Sequence, residues 1–314
     1  MKNSVRDLKK AFLYVMVIFV GVYAKASNDI LLIDVNNVVP EIDYIRSFLK
    51  QEQAQGRELD TQLVIVPSEA RIPMADRRQI QSLHLQFIDA NATYFQEHCF
   101  PSDRKANANL DAKCEKILQV ILDARIATNK LKKAGKNGFI PIEEIEQELA
   151  QVLKGPYQFS RVIISGHHSP DLTRGLLSGE LYTGFTSEIA QSLLNSAAST
   201  EKVRTLIMLG CWTGRSEMME LAWGQVLPQA AFHSGYVETA PAKVNPANLL
   251  ILDSILRNEK LIGASESEAE LRQNYAKLKV DGRQLGVLVR GMYISPAGIK
   301  RLKSLQDRVE RRDQ

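Results

Sequence analysis

The chain has 314 residues, 45% of them hydrophobic and 24% charged, with a formal net charge of +4. Lys2, Arg6, Lys9, Lys10 and Lys25 against Asp7 account for that excess, so residues 27–314 are close to neutral. Overall basicity is therefore no argument for nucleic acid or for an acidic substrate, and the length suits one large domain or one and a half ordinary ones.

Residues 1–10, MKNSVRDLKK, are basic; residues 11–24, AFLYVMVIFVGVYA, are apolar; and Ala24-Lys25-Ala26 gives a small-x-small site. This order predicts a secretory signal peptide over residues 1–26, cleaved after Ala26, and so a periplasmic or secreted protein. An uncleaved anchor is the alternative, but a span wants roughly 18 or more apolar residues. No other run approaches that length, so no stable membrane span is expected after cleavage.

Residues 29–38, DILLIDVNNV, read as a buried strand. Ile42, Ile45 and Leu49 recur at helical spacing over 40–53, and residues 61–67, TQLVIVP, form a second strand. A strand–helix–strand unit favours a parallel sheet. From about 73 to 155 the pattern becomes charged and helical, over 77–91, 111–133 and 141–153, and reads as a helical insertion. Sheet character returns in RVIIS (161–165), then a Gly-rich loop, a helix over about 186–198, and a strand at 204–209. Residues 216–223 read as helix, 229–236 as strand, 246–258 and 265–278 as amphipathic helices, and 286–293 as a late strand, with a charged tail beyond. The expected organisation is an α/β domain over 27–245 and a mainly helical C-terminal extension over 246–314.

Three cysteines are informative in an exported chain. Cys99 and Cys114 flank one polar segment, and a disulfide there would stabilise it by about 3 kcal/mol; two unrelated buried thiols are the alternative. Cys211 is then left over, as a free thiol, an intermolecular partner or a small hydrophobe at a strand end. It follows Leu206–Leu209 in LIMLGCWTG, just as His167 follows the earlier strand in IISGHH. Ligands of open α/β sheets bind along the carboxyl ends of the strands, where neighbouring strands would bring these two residues together. An imidazole beside a thiol supplies the base that makes the nucleophilic thiolate, and free N–H groups at the turn can receive an oxyanion. A helix starting near Thr213 would add its positive end.

Ile163-Ile164-Ser165-Gly166-His167-His168 and Leu209-Gly210-Cys211-Trp212-Thr213-Gly214, in this order and spacing, resemble the motifs of the caspase-like cysteine peptidases, a group that includes caspases, legumains, gingipains and clostripain. The resemblance covers about 161–216. It implies a caspase-like three-layer α/β/α sandwich with a mostly parallel sheet, here with a helical insertion. It implies an endopeptidase without cofactor, acting on a peptide or protein substrate, with Cys211 as nucleophile and His167 as general acid and base. The N–H groups of His168 and Cys211 would form the oxyanion hole. The departure is at 168, where the family carries glycine.

That departure motivates the alternative of a catalytically inactive envelope scaffold or binding protein. Zinc on His167, His168 and Cys211, with His233 in reach, is a weaker reading, because adjacent strand residues point to opposite faces. A redox role would need a resolving cysteine near Cys211. Arg174 and Glu180, in the loop 171–184, are candidates for shaping the substrate pocket, with ordinary loop solvation as the bland reading. His84, His98 and His233 read as surface or satisfied core residues, and Trp212 and Trp223 as packing residues.

Overall fold

The run Asp29–Asp34, DILLID, is apolar at every position between its two aspartates and is buried throughout. A strand with no polar face must be covered on both sides, which is the signature of a sheet between two helix layers. A computed structural model describes residues 28–35, 38–79, 142–166, 177–178, 183–238, 240, 246–278 and 285–302, with positions 82, 116 and 119. Strands β1 (Asp29–Asp34), β2 (Leu63–Val66), β3 (Phe159–Ser165), β6 (Thr205–Met208), β7 (Phe232–Tyr236), β8 (Leu285–Val289), β9 (Met292–Ser295) and β10 (Gly298–Arg301) form one 8-stranded sheet in the order 10-9-8-7-6-3-1-2. Pairing is parallel from β2 through β7 and antiparallel from β7 to β10. A ribbon of β4 (Leu177–Ser178) and β5 (Thr183–Phe185) stands apart.

Alternate side chains divide the core. Leu31, Ile33, Val162, Ile164, Leu206 and Met208 face one layer, made by α2 (Ile142–Leu153), α3 (Ser187–Leu194) and α4 (Ser216–Leu221) with Trp223. Ile30, Leu32, Ile163, Ile207 and Val287 face the other, where α1 (Val39–Ala54), α5 (Pro246–Gly263) and α6 (Glu268–Tyr275) supply Ile42, Ile45, Ile251, Ile255 and Leu271. The architecture is thus an α/β sandwich with a mixed, mostly parallel sheet. Within the described residues of the expected insertion, 74–79 are helical, and α2 packs on the sheet through Ile145, Leu149 and Leu153.

Two expectations change in detail. The strand expected over 286–293 is a hairpin, because Arg290 and Gly291 both take positive φ and turn the chain between β8 and β9. The segment expected to be a mainly helical extension supplies α5 and α6 but also β8–β10, which continue the sheet. The charged tail beyond 302 and the expected signal peptide, residues 1–26, lie outside the described residues, as do Cys99 and Cys114. Among the described residues no helix is long and apolar enough to cross a membrane.

Buried ion pairs tie the two ends of the sheet. At the carboxyl end, Asp34 accepts the Val38 N–H at 2.9 Å and pairs with Arg77 at 2.7 Å. Arg77 also donates to the carbonyls of Ile72 and Pro67, so one guanidinium joins the exits of β1 and β2. At the amino end, Arg161 of β3 meets Glu58 at 3.0 Å and also Glu259 of α5, while Lys260 reaches Glu58 at 2.9 Å. Burial opposes ionisation of Glu58, but the hydrogen bond and charge of Arg161, with Lys260 and Thr61, outweigh it and hold the carboxyl at about 2. Burial pushes Glu259 upward, against the pull of the same arginine.

A carboxyl depressed in the folded state contributes stability above its unfolded value and loses it as pH falls through the folded one. The stability advantage of the wild type over Glu58→Gln is therefore full above pH 4.5 and fades as pH falls toward about 2. Urea unfolding of both proteins across that window checks it; an advantage independent of pH contradicts the pairing.

Candidate active site

Strands β3 and β6 are neighbours in parallel register, with Ile164 opposite Met208. The Leu209 N–H continues the ladder onto the Ile164 carbonyl at 2.8 Å. The exits Ser165–Gly166 and Leu209–Gly210–Cys211 therefore lie side by side at the carboxyl edge of the sheet. Position 34, at the end of β1, flanks Ser165 on the other side. Cys211 is a free, half-buried thiol on the turn that ends β6. His167, His168, Arg174 and Glu180 lie outside the described residues, and Gly166 is the last described residue before them.

The turn 211–214 is held by its neighbours rather than by its own helix. The Trp212 N–H donates to the Glu238 carbonyl at 3.0 Å and the Gly214 N–H to the Tyr236 carbonyl at 2.9 Å. The Thr213 hydroxyl donates to the Gly210 carbonyl at 2.8 Å, and Arg215 Nε donates to the Val237 carbonyl at 3.0 Å. Trp212 sits at φ 58, a left-handed conformation that costs a bulky residue about 1–3 kcal/mol and persists only where its surroundings over-determine it. Helix α4 starts at Ser216, where the sequence places it, so the turn separates its first residue from the sulfur and no helix start lies near Thr213.

The donor that does reach the sulfur is the main-chain N–H of Ala240, 3.3 Å from Cys211 Sγ. Among the described residues the Cys211 N–H meets no acceptor, which leaves it available to a developing oxyanion. Sequence reasoning missed Ala240, for no residue type marks a backbone amide that returns over a thiol after the next strand.

Close backbone packing fixes the turn. A Cβ on Gly214 would lie 2.0 Å from the Gly235 carbonyl oxygen, and one on Gly286 would lie 1.8 Å from the Gly214 oxygen. Tyr293 of β9 donates its hydroxyl to that same Gly214 oxygen at 2.9 Å. Two strands beyond β7, β8 and β9, thus meet the Gly214 carbonyl.

The other residues singled out in the sequence fall into place as follows. His233 pairs in register with Leu206, well before the end of β6, and its Nε2–H donates to the Val226 carbonyl at 3.2 Å. Burial lowers its pKa to about 4, against the backbone hydrogen bonds, so the ring is neutral. Its position separates it from Cys211, and among the described residues no group of three or more His, Cys, Asp or Glu side chains is arranged to hold a metal ion. Trp223 is fully buried in the core, whereas Trp212 is half-buried on the turn. Compared with known proteins, the chain matches no family model, no curated protein and no solved structure.

Gly286→Ala forces backbone apart beneath the thiol's turn. Overpacking in a close-packed interior costs typically about 1–3 kcal/mol, and a contact onto a carbonyl belongs at the upper end. Thermal unfolding should show that loss, together with a changed rate of Cys211 alkylation in the folded protein. An unchanged melting temperature and labelling rate would contradict the close approach.

Proposed function

We propose that the protein is an exported cysteine endopeptidase of caspase-like architecture, which cleaves peptide bonds with Cys211 as nucleophile and His167 as general acid and base. The observation that carries this reading is the parallel pairing of β3 with β6, Ile164 opposite Met208, which sets the exit leading to His167 beside the exit that ends in Cys211. A free thiol with an amide donor on its sulfur and, among the described residues, no acceptor on its own N–H has parts that acyl transfer requires.

In the proposed reaction His167 takes the thiol proton and Cys211 Sγ attacks the scissile carbonyl, forming a C–S bond. The carbonyl oxygen gains the negative charge and is met by the N–H groups of Cys211 and His168. Collapse of this intermediate breaks the C–N bond, and His167 returns the proton to the leaving amine. Water activated by the same imidazole then hydrolyses the thioester and regenerates the thiol. Removal of the export signal, residues 1–26, would deliver this chemistry to the periplasm or the exterior.

Cys211→Ala removes the nucleophile from a half-buried position and is expected to abolish cleavage of a peptide library while the thermal unfolding curve stays close to wild type. Equal cleavage by the two proteins would sink the proposal. No cleavage by either, with an inert Cys211, would favour a silent scaffold with His168 in the cleft.

A further inference from the structure

Three polar side chains lie buried at the carboxyl end of the sheet, on the side covered by α1 and α5. Glu41, Asn248 and Tyr236 are 1%, 2% and 1% exposed. They form a chain of hydrogen bonds. The Tyr236 hydroxyl donates to Asn248 Oδ1 at 2.7 Å, and Asn248 Nδ2 donates to Glu41 Oε1 at 2.8 Å. Glu41 stands in the first turn of α1, where the helix dipole favours a carboxylate, and Asn248 stands near the start of α5. An amide has one donating and one accepting end, so the carboxylate takes the Asn248 NH₂ group and turns its oxygen toward Tyr236. A buried chain with this single direction is satisfied only when α1, α5 and β7 hold one relative position, and it therefore rigidifies the three.

The backbone of Tyr236 in turn holds the loop that carries the thiol. Its carbonyl accepts the Gly214 N–H at 2.9 Å. The residues after it supply three more contacts. The Val237 carbonyl takes Arg215 Nε, the Glu238 carbonyl takes the Trp212 N–H, and the Ala240 N–H meets Cys211 Sγ. Leu209, two residues before Cys211, shares an apolar cluster with the Tyr236 ring. Beyond Tyr236 the chain rises out of the core, for Val237 is half-buried and Glu238 exposed. Tyr236 is thus the last residue of β7 and the last buried point before the four contacts. Where it sits decides where they fall.

We infer that Tyr236, Asn248 and Glu41 are positioning residues for Cys211, a buried tether that fixes the exit of β7 and through it the setting of the sulfur. The inference rests on the reading of Cys211 as a nucleophile, but the tether is measured without substrate. Three substitutions in the full-length protein separate its links. Tyr236→Phe keeps the ring and removes only the hydroxyl. Glu41→Leu cuts the far end, whereas Glu41→Gln still offers Asn248 an acceptor oxygen.

Amide exchange at Trp212 and Gly214, read by NMR, is the first measurement. Tyr236→Phe and Glu41→Leu should each speed it by about fivefold, the worth of one net hydrogen bond, with amides of β1 and β3 unchanged. Both should slow iodoacetamide alkylation of Cys211 at about pH 6, where only an activated thiol reacts quickly. The double variant should add little to either alone, and Glu41→Gln should stay within about twofold of wild type. If Glu41→Leu does not fold, Tyr236→Phe and Glu41→Gln carry the test. A lower melting temperature with exchange at the turn unchanged means a merely structural chain and overturns the inference. So does a Glu41→Gln protein that behaves like Tyr236→Phe. A wild-type thiol that reacts slowly at pH 6 counts against the peptidase reading, and exchange at the turn then decides the tether by itself.

Discussion

Helices packed against both faces of the sheet leave its strand ends as the part that a ligand can reach. The two core clusters interleave residue by residue along β1, β3 and β6. Polar chemistry on either face would leave buried groups without partners, at a cost of several kcal/mol each. What remains is the carboxyl edge, where β1, β3, β6 and β7 all end and where Asp34, Gly166, Cys211, Val237 and Glu238 are found. The buried charges obey the same constraint. Asp34 with Arg77 sits at the carboxyl end of β1, and Arg161 with Glu58 and Glu259 lies toward the amino end of β3.

The edge is organised by close backbone contact. Gly214, Gly235 and Gly286 let β6's turn, β7 and β8 approach more nearly than any side chain would allow. The Gly214 carbonyl is fixed from β9 by Tyr293, and Trp212 is held in a left-handed conformation by the exit of β7. The antiparallel half of the sheet is therefore a buttress for the thiol's turn as well as an extension of the core.

Much of this was legible in the sequence because it rests on local pattern. The strands read at 29–38, 61–67, 161–165 and 204–209 correspond to β1, β2, β3 and β6 of the parallel half of the sheet, and the helical spacing of Ile42, Ile45 and Leu49 to α1. The placement of Cys211 at a strand end followed from LIMLGC, and the satisfied core role of His233 agrees with its buried hydrogen bond. Other features depend on contacts between distant segments. Gly286 serves Gly214 across the width of two strands, and the Ala240 amide reaches Cys211 only because β7 lies beside β6. The hairpin at Arg290–Gly291 was hidden because the residues on both sides of it are equally apolar, and only the positive φ values at the turn interrupt the run. The hold on the 211–214 turn has a similar origin, since the exit of β7 captures the N–H groups of Trp212 and Gly214.

The partnership of Cys211 with His167 is best tested by mapping iodoacetamide alkylation by mass spectrometry, on the folded full-length chain and on His167→Ala. With an imidazole beside the sulfur, alkylation of Cys211 at about pH 6 should outrun that of any other cysteine, because thiolate, not thiol, reacts. His167→Ala should abolish that lead without unfolding the protein. Equal labelling of Cys211 in the two proteins, or no lead in the wild type, would contradict the dyad and with it the peptidase.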